Sequence, residues 1–125
     1  MIKLVYVIHR REGLSREEFH RYWLEVHAPK VRVVVNQIRA RRYIQSHTID
    51  TPLNAALAES RGLSPGCDGI TEVWWDTLED FQAAATDPGG AEALKMLLED
   101  EQHFIDFARS TIVITEEHEI FDLTR

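Results

Sequence analysis

Apolar positions are concentrated in four short segments of the chain that are rich in β-branched and aromatic residues. Such segments are typical of β-strands, in which successive side chains point to opposite faces. The pattern therefore predicts strands at residues 1–9, 41–49, 69–75 and 111–119. In the second strand, Tyr43, Gln45 and His47 share one face.

Between the first two strands, the apolar positions take a helical spacing. Ser15 followed by Glu18 is the signature of a capping box, which predicts that a helix begins there. Trp23 and His27 are four residues apart, so they lie on one face of this helix. Because proline disfavours helical geometry in the preceding residue, a break or kink is expected at Ala28-Pro29.

A second helical segment lies between the third and fourth strands. Thr77 with Asp80 forms a capping pattern, which predicts that a helix begins at Leu78. An Asp-Pro-Gly-Gly sequence at 87–90 interrupts it, and helical spacing then returns. The face formed after this interruption consists of Leu94, Leu97, Leu98, Glu101, Phe104, Ile105 and Ala108.

The predicted order is β-α-β-β-α-β. It is the pattern of the ferredoxin-like α+β fold, a four-stranded antiparallel sheet with the helices on one face. The length suits one domain, so residues 1–125 are assigned to a single domain. Residues 50–68 are rich in turn formers and are predicted to form a long loop, with one or two helical turns at 54–61 as an alternative. Loops of this length often serve as lids or partner contacts.

The face of such a sheet that carries no helices needs another cover. We expect Tyr43, Gln45 and His47 to lie on this face, beside apolar residues of the other strands. A large exposed apolar face disfavours a monomer, and face-to-face pairing of two sheets removes it. The chain is therefore predicted to form a homodimer, a dimeric α/β barrel. The alternative is a monomer with an unusually polar open face.

Composition and charge narrow the range of partners. The net charge of −7 repels phosphate backbones, so no nucleic-acid partner is expected. The single cysteine, Cys67, excludes an intrachain disulfide and fits a reducing compartment. No stretch approaches the roughly 20 apolar residues of a membrane span. We therefore expect a cytoplasmic protein without a membrane partner.

The candidate chemistry depends on histidine, tyrosine and tryptophan. The sequence has no Walker loop, GxGxxG, HExxH or CxxC motif and no nucleophile elbow. Its six histidines show no recognised metal-ligand spacing. Neither a cofactor nor a metal is therefore predicted.

Three residues are candidates for catalysis. His27 ends an aromatic helix face, where partial burial would lower its pKa and make it a base near neutral pH. Tyr43 and His47 lie on one strand face at a spacing that suits two groups lining one cavity. Structural roles stay open for all three: a helix cap for His27, and a hydrogen-bonded interface pair for the other two.

The large aromatic residues are candidates for a substrate-binding wall. Trp74 and Trp75 must face opposite sides of the third strand. Trp23, Trp74 and Phe104 are predicted to shape an apolar pocket for a planar substrate, with packing in an interface as the alternative. His103, beside the apolar face of the last helix, is a further candidate for substrate binding.

Several segments resemble the EthD-type proteins of the dimeric α/β-barrel superfamily. The opening strand at 2–7, the Ser-Arg-Glu-Glu-Phe-His-Arg-Tyr-Trp helix at 15–23 and the His-Ala-Pro sequence at 27–29 are similar to the beginning of such a domain. Later segments resemble the family's remaining strands and last helix; they are 42–47, 68–75, 104–107 and 113–117. The resemblance covers nearly the whole chain except 51–65.

This resemblance implies a function as well as a fold. In members similar to methylmuconolactone methylisomerase, the residues that match His27 and Tyr43 line the pocket. A cofactor-independent isomerase, lyase or dehydratase is therefore expected, acting by general acid–base chemistry on a small cyclic or aromatic acid, lactone or ketone. Two alternatives stay open: a non-catalytic accessory or ligand-binding protein of a degradation operon, and a haem-dependent, metal-dependent or cofactor-free oxygenase.

Overall fold

One antiparallel sheet organises the chain in a computed structural model that describes residues 1–124. The strands are β1 (Ile2–Ile8), β2 (Arg42–His47), β3 (Gly69–Trp75) and β4 (Thr111–Glu116), and the helices are α1 (Arg16–Tyr22), α2 (Ala28–Val33), α3 (Pro52–Ser60), α4 (Leu78–Thr86) and α5 (Pro88–Glu101). Their order in the sheet is β2-β3-β1-β4, with every neighbouring pair antiparallel. The predicted ferredoxin-like α+β fold is confirmed.

The predicted capping box determines where α1 begins. The Ser15 hydroxyl accepts from the backbone N–H of Glu18 at 3.0 Å, and the Glu18 carboxylate accepts from the backbone N–H of Ser15 at 3.0 Å. Each partner therefore satisfies a helix-terminal N–H of the other. On the inner face of this helix, Phe19 is fully buried.

Of the break or kink expected at Ala28-Pro29, the break is not found, and the helix is distorted instead. A π-helical turn, Trp23–His27, joins α1 to α2, and Ala28 has helical dihedrals (φ −56°, ψ −43°). The backbone N–H of Ala28 donates to the carbonyl of Trp23, five residues earlier. Because the wider turn changes the hydrogen-bond pattern directly before the proline, the helix accommodates Pro29 and continues. The same turn carries His27 into the interior.

The prediction that Tyr43, Gln45 and His47 face away from the helices is wrong. The Gln45 amide donates to the Trp23 carbonyl at 2.9 Å, and the His47 ring stacks on Trp23 with centroids 4.5 Å apart. These three side chains therefore lie on the covered face. Strand alternation determines which residues share a face, but it does not determine which face the helices cover.

The segment predicted as a long loop contains α3. Thr51 caps this helix, and its hydroxyl accepts from the backbone N–H of Leu53 at 3.3 Å. No residue of α3 is buried. Its helical state therefore depends on local propensity and capping rather than on a packed apolar face. The alternative of one or two helical turns at 54–61 corresponds to this longer helix.

The predicted start of α4 is observed, and the interruption predicted at 87–90 is confined to Asp87. The Thr77 hydroxyl accepts from the backbone N–H of Asp80 at 3.1 Å, and α4 begins at Leu78. Asp87 separates α4 from α5, whose first residue is Pro88. With 14 residues α5 is the longest helix of residues 1–124, and no helix in this range is long and apolar enough to cross a membrane.

Candidate active site

A cavity of about 260 Å³ lies between the covered face of the sheet and the helices. Apolar side chains form most of its wall, among them Trp23, Val73, Trp75, Leu97 and Phe104. The polar residues that line it are His27, Tyr6, Tyr43, Thr71 and Glu101. Within residues 1–124, no lysine or arginine lines this cavity. A single imidazole and a single carboxyl group therefore dominate its acid–base chemistry.

His27 is oriented by a buried carboxylate from α5. Its Nδ1 lies 2.7 Å from Oδ2 of Asp100, and both side chains are buried. The Asp100 carboxylate also accepts from the Tyr22 hydroxyl at 2.6 Å and from the Lys30 ammonium at 2.8 Å. Although burial opposes ionisation, these donors lower the pKa of Asp100 to about 2.

The charge on Asp100 determines the tautomer of His27. An ionised carboxylate only accepts, so Nδ1 carries the proton and Nε2 holds the free lone pair. Burial lowers the pKa of His27, and the opposing effect of Asp100 is smaller. Nε2 has no hydrogen-bond partner among residues 1–124, and the ring lines the cavity. His27 is therefore a neutral imidazole with its basic nitrogen open to a ligand.

Glu101 provides the complementary acid. Burial raises its pKa to about 7, with the Tyr6 hydroxyl opposing this shift and the neighbouring Asp100 charge adding to it. The carboxyl group is thus protonated in a large fraction of molecules at neutral pH. A neutral carboxylic acid both donates a hydrogen bond and releases a proton, which makes Glu101 suited to general acid catalysis.

Tyr43 is held by a chain of hydrogen bonds along β2. The Gln45 amide lies 3.0 Å from the Tyr43 hydroxyl oxygen, and Gln45 Oε1 lies 2.8 Å from Nε2 of His47. Burial raises the pKa of Tyr43, so its hydroxyl stays protonated at neutral pH. A protonated phenol on a cavity wall can polarise a carbonyl oxygen.

The sequence-predicted residues separate into two groups. His27, Tyr43, Trp23 and Phe104 line the cavity; His47, Trp74 and His103 do not. The His47 ring stacks on the Trp23 ring, and the centroid of the His47 ring lies 4.6 Å from that of His20.

Trp74 and His103 lie farther from the cavity. β3 directs Trp74 to the open face, where Arg42 lies 4.6 Å from its ring centroid, and directs Trp75 to the cavity. Trp74 therefore lies outside this cavity, and Trp75 lines it instead. His103 is exposed, with its ring 6.3 Å from that of Tyr22.

Sequence reasoning missed Asp100, Glu101 and Tyr6. A carboxylate within the apolar face of the last helix was the available signal for Glu101, because a buried acid usually has a specific role. No comparable signal existed for Asp100, which pairs with a histidine 73 residues away. Residues 1–124 hold no group of three or more His, Cys, Asp or Glu side chains arranged to bind a metal ion.

Two proteins with enzyme names are similar to this chain over most of its length. A decarboxylase from Claviceps purpurea is 27% identical over 110 residues, covering 85% of this chain and 75% of the relative. The dehydratase iacD from Pestalotiopsis fici is 28% identical over 122 residues, covering 91% of this chain and 83% of the relative. These similarities indicate an enzyme-like relationship without specifying a reaction.

Three solved structures share the fold. An EthD family protein from Bacillus halodurans c-125 matches with a TM-score of 0.63 at 22% identity, covering 94% of this chain and 99% of that chain. A dimeric protein with a ferredoxin-like fold from Bacteroides fragilis NCTC 9343 matches at 0.57 and 14% identity, covering 93% and 95%. SnoaB, a cofactor-independent oxygenase from Streptomyces nogalater, matches at 0.54 and 12% identity, covering 99% and 97%.

A family model shows the relationship directly. The model of the EthD domain matches residues 11–108. This range includes His27 and Asp100, together with Tyr43 and Glu101 on the cavity wall. Because the match spans most of the chain, this protein belongs to the EthD domain family.

Proposed function

We propose that this chain is a cofactor-independent enzyme of the lyase or isomerase class that moves protons on a small carbonyl compound. One observation carries the proposal: a free imidazole nitrogen and a carboxylic acid with a pKa of about 7 line the same apolar cavity. Their opposite protonation states at neutral pH match the roles of general base and general acid.

The proposed reaction begins at a C–H bond next to a carbonyl. Nε2 of His27 takes the proton, the C–H electron pair forms a C=C bond, and the carbonyl oxygen gains charge that the Tyr43 hydroxyl stabilises. In a dehydration, the enolate re-forms its carbonyl as the β C–O bond breaks, and the proton of Glu101 converts the departing hydroxide into water. In an isomerisation, Glu101 instead donates its proton to another carbon of the conjugated enolate. Positioned acid and base groups contribute about 10² to 10⁴-fold each.

The cavity favours a small neutral substrate. An apolar cavity of about 150 Å³ already holds benzene, so about 260 Å³ suits one substituted ring. A substrate carboxylate would meet no lysine or arginine among the residues 1–124 that line this cavity, and would face Glu101. Of the expected substrate classes, a cyclic or aromatic ketone or lactone is therefore favoured over an acid. The decarboxylase and dehydratase names of two relatives are consistent with lyase chemistry.

Proton–deuterium exchange tests the proposal without the natural substrate. The protein is incubated in D₂O near neutral pH with a monocyclic ketone, 2-cyclohexenone, and a monocyclic lactone, δ-valerolactone. Deuterium at the carbon next to the carbonyl is followed by NMR. We expect exchange above the buffer rate and a loss of about 10² to 10⁴-fold in His27→Asn.

His103→Asn is the matched control, because His103 is exposed and lies outside the cavity. It should exchange at the wild-type rate. Equal rates in the wild type and in His27→Asn would refute the enzyme proposal. If the probes also bound in the cavity without exchange, the accessory, ligand-binding role would be the better explanation.

We also propose that two copies pair through the open face of the sheet. This face carries two apolar pairs on the side opposite the cavity: the strand register places Val5 opposite Val113, and Val7 opposite Ile70. Val113 is 56% exposed in one chain. The dimeric protein from Bacteroides fragilis that shares the fold supports this arrangement.

A further inference from the structure

The side-chain amide of Gln45 has an orientation that chemistry determines. Its nitrogen lies 2.9 Å from the backbone carbonyl oxygen of Trp23. A carbonyl oxygen only accepts hydrogen bonds, so the group facing it must be the NH₂ and cannot be the amide oxygen. The two ends of the Gln45 amide are therefore distinguished by their surroundings.

This orientation assigns a direction to every bond in the chain. The second N–H of Gln45 donates to the Tyr43 hydroxyl oxygen at 3.0 Å. The Gln45 oxygen then faces Nε2 of His47 at 2.8 Å, so that nitrogen must carry a proton and donate. Proton donation thus runs from His47 to Gln45 and from Gln45 to Tyr43.

The Tyr43 oxygen is accordingly an acceptor from the protein. The Trp23 indole and the Thr71 hydroxyl also interact with it, and each lowers the pKa of Tyr43 as a donor does, against the larger effect of burial. Because the Gln45 N–H occupies one side of this oxygen, the hydroxyl directs its own proton away from Gln45. Tyr43 lines the cavity, so this proton is available to a ligand there.

We infer that Gln45 is a positioning residue that fixes Tyr43 as a hydrogen-bond donor, so that the cavity selects a ligand with an acceptor oxygen at that point. His27 supplies the complementary acceptor through Nε2. Tyr43 then offers a donor and His27 an acceptor, beside the acid Glu101, which fits a carbonyl oxygen at Tyr43 and an acidic C–H at His27. The role of Tyr43 in turnover rests on the proposed function, whereas the direction of these hydrogen bonds does not.

A ligand-free NMR experiment on the wild-type protein tests the direction. Both side-chain N–H protons of Gln45 are expected to exchange slowly with solvent, because each is bonded to a protein oxygen. In protein labelled with ¹³C at the ζ carbon of its three tyrosines, the ionisation of Tyr43 is followed by pH titration. Rapid exchange of the Gln45 protons would overturn the inference without any substitution.

Two substitutions separate positioning from simple packing. Gln45→Leu removes the donor, so the pKa of Tyr43 should rise. Gln45→Glu keeps the shape but reverses the polarity: a carboxylate accepts the Tyr43 proton, so the pKa should rise further, by about one unit or more. Gln82→Glu, an exposed change on α4, should leave the titration of Tyr43 unchanged.

The titration of Tyr43 and the proton–deuterium exchange assay for His27 test different claims. If Gln45→Leu and Gln45→Glu fold but leave the titration of Tyr43 at its wild-type position, Gln45 has a packing role only and the inference fails. If the titration moves as expected while the wild type catalyses no exchange, the donor assignment stands and the enzyme proposal fails. Where exchange is present, Gln45→Glu should lower kcat more than it raises KM, because the lost hydrogen bond strengthens in the transition state.

Discussion

At the scale of single residues, two consecutive carboxyl groups on α5 take opposite protonation states. Asp100 is surrounded by donors from Tyr22, Lys30 and His27, and its pKa falls to about 2. Glu101 faces an apolar cavity, and burial raises its pKa to about 7. Because their surroundings separate the two pKa values, one helix supplies both an orienting anion and a neutral acid.

This separation predicts a narrow, bell-shaped pH profile for proton transfer. The rate should rise with pH as His27 loses its proton, at a pKa below its ordinary value because of burial. It should fall above a pH of about 7 as Glu101 ionises and can no longer donate. Steady-state rates of a dehydration or isomerisation, which needs both groups, measure both limbs from pH 5 to about 9; exchange at the carbon next to the carbonyl, which needs only His27, should show the acid limb alone.

Glu101→Gln identifies the group behind the alkaline limb. The amide keeps the shape and cannot ionise, so the fall above a pH of about 7 should disappear while the acid limb stays. The maximal rate for a reaction that needs an acid should drop by about 10² to 10⁴-fold. An alkaline limb that persists in this variant would show that another group causes it.

The sequence revealed part of this site. Helical spacing identified Trp23 and His27, which line the cavity. The alternation of β2 identified Tyr43, which also lines it, and His47, which is linked to Tyr43 through Gln45. Partners distant along the chain were out of reach, because Asp100 meets His27 only once α5 has packed against the π-helical turn.

At the scale of elements, local signals predicted boundaries well. Capping patterns at Ser15 and Thr77 placed two helix starts correctly, since each depends on residues within one turn. The π-helical turn and the covered face of β2 were not predicted. Both follow from packing between elements: Trp23 is buried against His47 and Gly69.

The crossing of α4 and α5 provides a prediction at this scale. A side chain at Gly90 would meet the backbone of Ala84, with the added Cβ 2.8 Å from its carbonyl carbon and 2.9 Å from the carbonyl oxygen of Gln37. Backbone cannot rotate away, so Gly90→Ala should lower the free energy of unfolding by about 1–3 kcal/mol. Thermal or urea unfolding measures the change.

The neighbouring glycine is the control. A Cβ at Gly89 meets nothing within 4 Å. Gly89→Ala should therefore be neutral or should stabilise the protein by up to about 1 kcal/mol, since alanine favours the helix. Equal destabilisation by both substitutions would show that the close approach of the two helices is not the cause.

At the scale of the whole molecule, the open face of the sheet is divided between a charged and an apolar part. Trp74 lies between the cations of Arg42 and Lys3, and Lys3 pairs with Glu72 at 2.7 Å. Beyond this cluster the face carries Val5, Val7, Ile70 and Val113, with the exposed polar residues Ser46 and Thr111 at one end. In the segment after β4, Ile120, Phe121 and Leu123 are also exposed. Such a surface favours association with a second copy.

Light scattering coupled to size exclusion tests this association. The wild type should have twice the 14.5 kDa mass of one chain. Val113→Asp, which places a charge in the apolar part of the face, should shift the protein to the single-chain mass. Ala91→Asp adds the same charge on the exposed surface of α5 and should leave the dimer intact. A wild type of single-chain mass would refute the proposed pairing.

The central claim is that His27 is a neutral base whose tautomer is fixed by Asp100, and long-range ¹⁵N NMR of its ring across a pH titration tests it most directly. We predict a proton on Nδ1, an unprotonated Nε2 at neutral pH, and a pKa below the ordinary histidine value of about 6.5. In Asp100→Asn, Nδ1 loses its anionic acceptor, so the preference for the Nδ1–H tautomer should weaken or reverse. A wild-type ring that is doubly protonated at neutral pH, or protonated on Nε2, would contradict the account.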